Sequence, residues 1–162
     1  MAESVQFNIA GLDSLLSKLE SVKDDTKKRG GRSALRKAAM LVVNAAKQNA
    51  QQLDDAETGR SIADNIALRW DGKRNKRTGD LAFRIGVLTG NIKQAKPGNP
   101  DEGKGGPTPH AMLIELGTEK MRAQPYLRPA LQNNINQVTD TFVIEFEKAI
   151  DRAIKRAAKK GK

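Results

Sequence analysis

Two long segments of the sequence repeat apolar residues at the three- and four-residue spacing of an amphipathic helix. The first stripe follows Ser33 and consists of Leu35, Ala38, Ala39, Val42, Val43, Ala46, Ala50 and Leu53. The second follows Pro129, which suits the first turn of a helix, and consists of Leu131, Ile135, Val138, Phe142, Phe146, Ala149, Ile150, Ala153 and Ile154. Because such spacing lines one side of a helix with apolar groups, both segments are predicted to be helical, the second over about 25 to 30 residues.

The N-terminal part of the sequence predicts a strand, a helix and a break. Val5, Phe7 and Ile9 alternate with polar residues, which predicts a short edge strand. Helical spacing continues over residues 12–24, with Leu12, Leu15, Leu16, Leu19 and Val22. The pair Gly30-Gly31 predicts a break, because each glycine costs a helix interior about 1 kcal/mol relative to alanine. Ser33 would then cap the next helix.

A β-hairpin is predicted in the middle of the chain. Strict alternation of Leu81, Phe83, Ile85 and Val87 predicts a strand over residues 81–88. The apolar residues around Ile66 predict its partner. The polar, basic run between them is too long for a tight turn, so it is predicted to be a mobile basic loop.

The segment after the hairpin has the composition of a surface loop. Residues 89–109 contain five glycines and four prolines, which deny the backbone regular hydrogen bonding. Ala111–Leu116 then resumes an apolar pattern that fits either a strand or a helical turn. The whole pattern predicts one α+β domain over residues 1–162, in which a small, mostly antiparallel sheet is packed by two N-terminal helices and one long C-terminal helix.

The residue types favour a non-enzymatic protein without metal or cofactor. The chain has no cysteine and one histidine, His110, which excludes thiolate sites and histidine-based metal sites. Glu115 could serve His110 as a carboxylate partner, but a polar residue at the start of a core segment is the favoured interpretation of His110. No apolar run approaches the roughly 18 residues that span a bilayer, so no membrane partner is expected.

Positive charge is the strongest signal for a partner. Lys and Arg total 29 against 19 acidic residues, a net charge of +10. The charge is densest in three clusters: Lys27, Lys28, Arg29 and Arg32; Lys73, Arg74, Lys76 and Arg77; and Lys155, Arg156, Lys159 and Lys160. Any single cluster is best interpreted as a solvated surface. Together they could contact phosphates without reading a nucleic-acid sequence.

The order of segments resembles the tail-completion (neck) proteins of long-tailed bacteriophages. The resemblance is carried by the run from Glu115-Leu116-Gly117-Thr118 to Pro125-Tyr126-Leu127-Arg128-Pro129-Ala130, preceded by the helical segments and followed by the long final helix. The residues themselves predict a structural corner, in which Gly117 takes a positive φ, Pro125 and Pro129 stiffen the chain, and Arg128 binds Glu115 or a neighbouring subunit.

The resemblance implies a virion protein that assembles in the host cytoplasm and acts at the head–tail junction. The implied partners are copies of itself in a ring of six or twelve subunits, and neighbouring neck, tail-terminator or tail-tube proteins. The basic clusters at residues 73–77 and 155–162 would line the DNA channel through weak, nonspecific contacts, or dock on acidic neck proteins. The alternative function is a nonspecific nucleic-acid-binding protein.

Overall fold

The computed structural model of the chain describes Lys18, Val22 and residues 24–53, 61–88 and 108–160. Its elements in chain order are α1 (Asp24–Gln51), α2 (Ile62–Asn65), β1 (Ile66–Trp70), α3 (Gly72–Thr78), β2 (Phe83–Val87), α4 (Ala111–Leu116), α5 (Leu127–Gln132) and α6 (Ile135–Lys160). This mostly helical chain with one small antiparallel sheet confirms the predicted α+β class. The predicted strand at residues 5–9 and the Gly/Pro-rich segment up to residue 107 lie outside the described residues, as does nearly all of the predicted helix over residues 12–24.

The chain groups into two compact units. One unit runs from Ala39 to Ile135, and the other combines the chain up to Ala38 with the chain from Asn136 onward. The single domain over residues 1–162 stays a prediction.

Helix α1 runs without interruption through Gly30 and Gly31, so the predicted break there is wrong. A Cβ added to Gly30 would lie 3.3 Å from the Cβ of Ala149 and 3.5 Å from the ring of Phe146. Because glycine has no side chain, α6 can approach α1 closely here, and this packing offsets the conformational cost of the glycine. Ser33 is an exposed residue inside the helix and not its N-cap.

The unit that contains α6 has a small aliphatic and aromatic core. Val143 and Ile150 are buried, and Val22, Phe142 and Phe146 pack against them. Phe142 and Phe146 lie one helical turn apart, with ring centroids 5.5 Å from each other. At the surface of this unit, Glu145 pairs with Lys37 of α1 and with Lys148 of its own helix.

The unit from Ala39 to Ile135 contains the predicted hairpin. Strands β1 and β2 are antiparallel, with Ile66 opposite Val87 and Trp70 opposite Phe83. The rings of Trp70 and Phe83 meet edge to face at 5.1 Å, which adds a favourable aromatic pair to the apolar side of the hairpin. The C-terminal half of α1 supplies buried Val42, Val43, Ala46 and Ala50 to this unit. The stripe after Ser33 is therefore helical and faces inward, as its spacing predicts.

The basic run between the strands is a helix, α3, and not the predicted loop. The Asp71 side chain caps α3 by accepting a hydrogen bond from the Arg74 N–H at 3.1 Å. Gly79 ends the helix in a left-handed conformation with φ 79°, and Lys76 and Arg77 lie in the last turn, where positive charge suits the helix dipole. These local signals favour a helical turn over an open loop.

The predicted final helix is divided in two. Pro129 lies in the first turn of α5, as predicted, but α5 ends at Gln132 and a turn separates it from α6. The Asn134 amide donates to the carbonyl of Ala130 at 2.9 Å and stabilises this turn. Helix α6 has 26 residues and stays helical to Lys160, so the C-terminal basic cluster at residues 155–160 is part of this helix. Among the described helices, none has the length and apolar content needed to cross a membrane.

We predict that Gly30→Leu lowers the free energy of unfolding by about 1 to 3 kcal/mol, since a large side chain would overpack the contact with Ala149 and Phe146. Ser33→Leu, on the exposed side of the same helix, should change it by less than about 0.5 kcal/mol. Urea denaturation followed by circular dichroism measures both. Equal stability of the two variants would contradict the close approach of α6 at Gly30.

Candidate functional site

Helix α4 presents its apolar residues outward and its charged residue inward. Ala111 and Glu115, one turn apart, are buried, whereas the side chains of Met112, Leu113 and Leu116 are 65%, 45% and 60% exposed. The segment is thus a helix, one of the two predicted alternatives, but it does not bury the apolar residues that its pattern suggests. Its buried side is organised around the carboxylate of Glu115.

The Glu115 carboxylate binds the N-terminus of α5. Its Oε2 accepts hydrogen bonds from the backbone N–H groups of Tyr126 at 2.7 Å and Leu127 at 2.9 Å. Its Oε1 accepts from the Arg128 N–H at 3.2 Å and from the Arg128 Nε at 3.3 Å. The Arg128 guanidinium also donates to the Glu115 carbonyl at 2.9 Å. One side chain therefore satisfies three backbone donors at a helix start, where no intrahelical acceptor exists.

Burial and hydrogen bonding act in opposite directions on Glu115. Burial raises the pKa of the carboxyl, but the hydrogen bonds from Leu127, Tyr126 and Arg128 stabilise the anion and leave its pKa below the ordinary value of 4.5. Glu115 is consequently ionised at neutral pH, and its negative charge lies at the positive end of the α5 dipole. The site is an anchor that depends on that charge.

Tyr126 is the second anchor of the corner. Its side chain is 1% exposed, and its hydroxyl donates a hydrogen bond to the carbonyl of Ala111 at 3.1 Å. Burial, with a smaller contribution from the charge of Glu115, raises the pKa of Tyr126 to about 12. The amide of Asn49 in α1 donates to the Tyr126 carbonyl at 3.1 Å. Tyr126 thus connects α1, α4 and α5.

Gly117 and Thr118 form the turn that leaves α4. Gly117 has φ 78° and ψ 176°, a conformation that glycine alone adopts readily. A Cβ at this position would lie 2.8 Å from the backbone nitrogen of Ala123. The Thr118 hydroxyl accepts hydrogen bonds from the N–H groups of Lys120 and Met121, so the next turn is closed by its own side chain.

The structure brings most of the predicted corner together. Tyr126 and Arg128 both donate hydrogen bonds to Glu115, and Gly117 follows Glu115 two residues later. Pro125 precedes the buried tyrosine, and Pro129 occupies the first turn of α5, where its missing N–H leaves no bond unmade. Arg128 binds Glu115 of its own chain, which is one of the two alternatives that the sequence left open. A role of these residues in a subunit interface stays a prediction.

The predicted charge clusters at residues 73–77 and 155–160 belong to helices α3 and α6, which supply none of the hydrogen bonds described for this corner. Helix α3 exposes Lys73, Arg74, Lys76 and Arg77. Helix α6, most of which belongs to the other unit, exposes Lys155, Arg156 and Lys159 and includes the backbone of Lys160. His110 caps α4 without a side-chain hydrogen bond to the helix. Among the described residues, no group of three or more His, Asp or Glu could hold a metal ion.

Three residues of the corner had no signal in the sequence. Ala111 contributes a carbonyl, and Ala123 lies against Gly117. Asn49 comes from α1, at a sequence separation of 77 residues from Tyr126. Backbone acceptors and small packing residues carry no pattern of their own, so only the folded chain identifies them. Arg69 and Arg84, which face each other across the hairpin, also escaped the sequence analysis.

The chain is similar to components of bacteriophage tails, because residues 13–117 match a family model described as "Bacteriophage HK97-gp10, putative tail-component". The match spans more than half of the chain, so the chain belongs to the HK97-gp10-like family. The matched segment contains Glu115 and Gly117 and ends before α5. No curated protein and no solved structure matched the chain.

We predict that Glu115→Gln destabilises the protein by about 1.5 to 3 kcal/mol, since it removes a charged acceptor from three backbone donors and Arg128. Because the folded-state pKa of Glu115 is depressed, its contribution is present above the unfolded-state value near 4.5 and is lost as pH falls through the lower folded-state pKa. Melting temperatures between pH 3 and 7 should therefore decline less steeply for Glu115→Gln than for the wild type. The control is Glu119→Gln at an exposed position. If the melting temperatures of Glu115→Gln and the wild type fell equally steeply as the pH is lowered, the ionised Glu115 carboxylate would not stabilise the fold.

We predict that Gly117→Ala costs more stability than Gly79→Ala, although both glycines have a positive φ near 79°. The backbone penalty is about 1 kcal/mol at Gly79, where ψ is −9°, and larger at Gly117, where ψ is 176°. In addition, a Cβ at Gly79 meets open space whereas one at Gly117 meets the Ala123 backbone. The expected difference is at least about 1 kcal/mol. Chemical denaturation of the two variants measures this difference. Equal losses of unfolding free energy would contradict the prediction, because the turn at Gly117 would then accept a Cβ as easily as Gly79 does.

Proposed function

We propose that this protein is a non-enzymatic structural subunit that completes the phage tail at the head–tail junction. It would act late in assembly, in the host cytoplasm, and remain in the neck of the virion. Membership of a tail-component family supports the tail role. The resemblance of the Glu115–Ala130 run to tail-completion proteins supports the finer location.

The outward side of α4 is the observation that carries an assembly role. Met112, Leu113 and Leu116 lie on one short helix and are each at least 45% exposed. The Glu115 anchor and the Tyr126 hydrogen bond hold this helix in a fixed orientation, so its apolar side is presented without loss of further conformational freedom. Rigid, exposed apolar surfaces are typical of protein–protein contact sites.

We propose that the partner of this surface is a second copy of the chain in a ring. A ring has heterologous interfaces, so each subunit must present two different surfaces. The second would include Leu131 and Ile135, which are 48% and 41% exposed in the same unit. A sixfold ring is preferred over a twelvefold one. Its flat sides would contact neighbouring neck, tail-terminator or tail-tube proteins.

We predict that the double variant Met112→Gln/Leu116→Gln folds normally but fails to assemble. Both side chains are exposed, so the melting temperature should stay within about 2 °C of the wild type. Complementation of a phage that lacks the gene should yield at least tenfold fewer infectious particles, with unjoined heads and tails visible by electron microscopy. The control is Ile144→Gln on α6, whose side chain is 50% exposed.

Sedimentation of purified protein at high concentration tests the partner. The wild type should form a ring-sized species that the double variant does not form, while the control variant retains it. Wild-type titres for the double variant would overturn the assembly role of α4. If the double variant lost infectivity but still formed the ring-sized species, the α4 surface would bind a neighbouring tail protein, and the proposed contact between copies of the chain would be contradicted.

A further inference from the structure

The hairpin has a second side that carries paired positive charge. Its register places Arg69 of β1 directly opposite Arg84 of β2, and Ala67 opposite Gly86. Side chains of directly opposed residues lie on the same side of an antiparallel pair. One side of the hairpin is therefore apolar, while the other consists of two exposed arginines beside an alanine and a glycine.

The arginine pair is unfavourable for folding by itself. Like charges directly opposite each other destabilise a strand pair. Asp71 relieves only part of the repulsion, since its Oδ2 lies 3.4 Å from the Arg84 Nε, whereas Arg69 forms an ion pair with no residue that the structure describes. A local arrangement that opposes stability is a reason to look for a ligand.

Helix α3 extends the positive charge from the arginine pair. The carboxylate of Asp71 contacts Arg84 through one oxygen and the first turn of α3 through the other, so the helix begins beside the pair. Six cations are thus grouped at this end of the hairpin: Arg69, Arg84, Lys73, Arg74, Lys76 and Arg77. The only acidic residues between Arg69 and Arg84 are Asp71 and Asp80, and the latter pairs with Arg74.

We propose that this basic hairpin surface, defined by those six cations, binds the phosphate backbone of duplex nucleic acid. Arginine binds phosphate with a planar, two-pronged geometry, and a duplex carries one charge per about 1.7 Å of its axis. An added Cβ at Gly86 would meet nothing within 4 Å, so the backbone of a ligand can approach the strands. Within the described residues 61–88, no large apolar side chain is exposed enough to anchor a protein partner, which favours a polyanion over an acidic protein.

The contact would be nonspecific in sequence. Cationic side chains on a short hairpin and a two-turn helix reach phosphates, but these elements do not fill a groove, so base edges are not read. The inference does not depend on the ring or on the location at the head–tail junction. It assigns a ligand class to Arg69 and Arg84, and it gives the exposed cations of α3 a common role.

The test compares Arg69→Gln with Arg36→Gln, a substitution of an exposed arginine on α1 that changes the net charge equally. Fluorescence anisotropy with a labelled 30-base-pair duplex at 50 to 200 mM salt measures binding by the full chain. Arg69→Gln should weaken binding about fivefold and reduce the slope of log affinity against log salt by about one. It should also raise the melting temperature by roughly 1 to 3 °C, because it relieves the repulsion with Arg84.

The opposite effects on binding and stability distinguish a ligand site from a structural one. Arg36→Gln should leave both nearly unchanged. Equal weakening by the two variants would overturn the proposal, because net charge alone would then explain binding. So would the absence of duplex binding at 50 mM salt. Displacement of the duplex by polyglutamate at equal charge concentration would likewise overturn it and identify the surface as a site for acidic proteins.

Discussion

The ionised carboxylate of Glu115 at the N-terminus of α5 is the interaction on which the candidate site depends. A buried charge is costly unless it is hydrogen-bonded, and three backbone N–H groups at a helix start are costly unless they find an acceptor. The carboxylate accepts hydrogen bonds from the three N–H groups at 2.7 to 3.2 Å, so both costs are avoided together. Glu115 faces inward, and Met112 and Leu116 on the same helix are exposed. An electrostatic anchor thereby creates an exposed apolar surface.

At two other places in the chain, a residue that is unfavourable for its own helix or strand pair occurs where it allows a tertiary contact or forms an exposed surface. Gly30 weakens α1 as an isolated helix, yet it allows Ala149 of α6 to approach α1 closely. The Arg69–Arg84 pair weakens the hairpin, and no described residue neutralises Arg69. The first departure is compensated inside the protein. The second is compensated only if a polyanion binds, which is why it points to a ligand whereas the glycine does not.

The unit from Ala39 to Ile135 therefore carries two surfaces of different chemistry. The side of α4 is apolar and is held by a buried ionic anchor, and the hairpin surface is cationic and almost free of apolar groups. In the role we propose, the protein contacts other proteins permanently and meets the genome transiently. Apolar burial suits the first kind of contact, and salt-sensitive charge pairing suits the second.

The sequence alone determined the elements whose signal is local. The stripe from Ala38 to Ala50 specified a helix, the alternation around Phe83 and Ile85 specified a strand, and Glu115 and Arg128 were already candidates for one corner, because periodicity and opposite charge are visible without a partner. The continuity of α1 through Gly30 and the outward side of α4 were decided only by the tertiary structure, whereas helix α3 has local caps at Asp71 and Gly79 and the turn before α6 has a local hydrogen bond from Asn134. The continuity of α1 depends on α6, which packs where Gly30 has no side chain, and the orientation of α4 depends on backbone donors eleven or more residues from Glu115, which no pattern in the chain records.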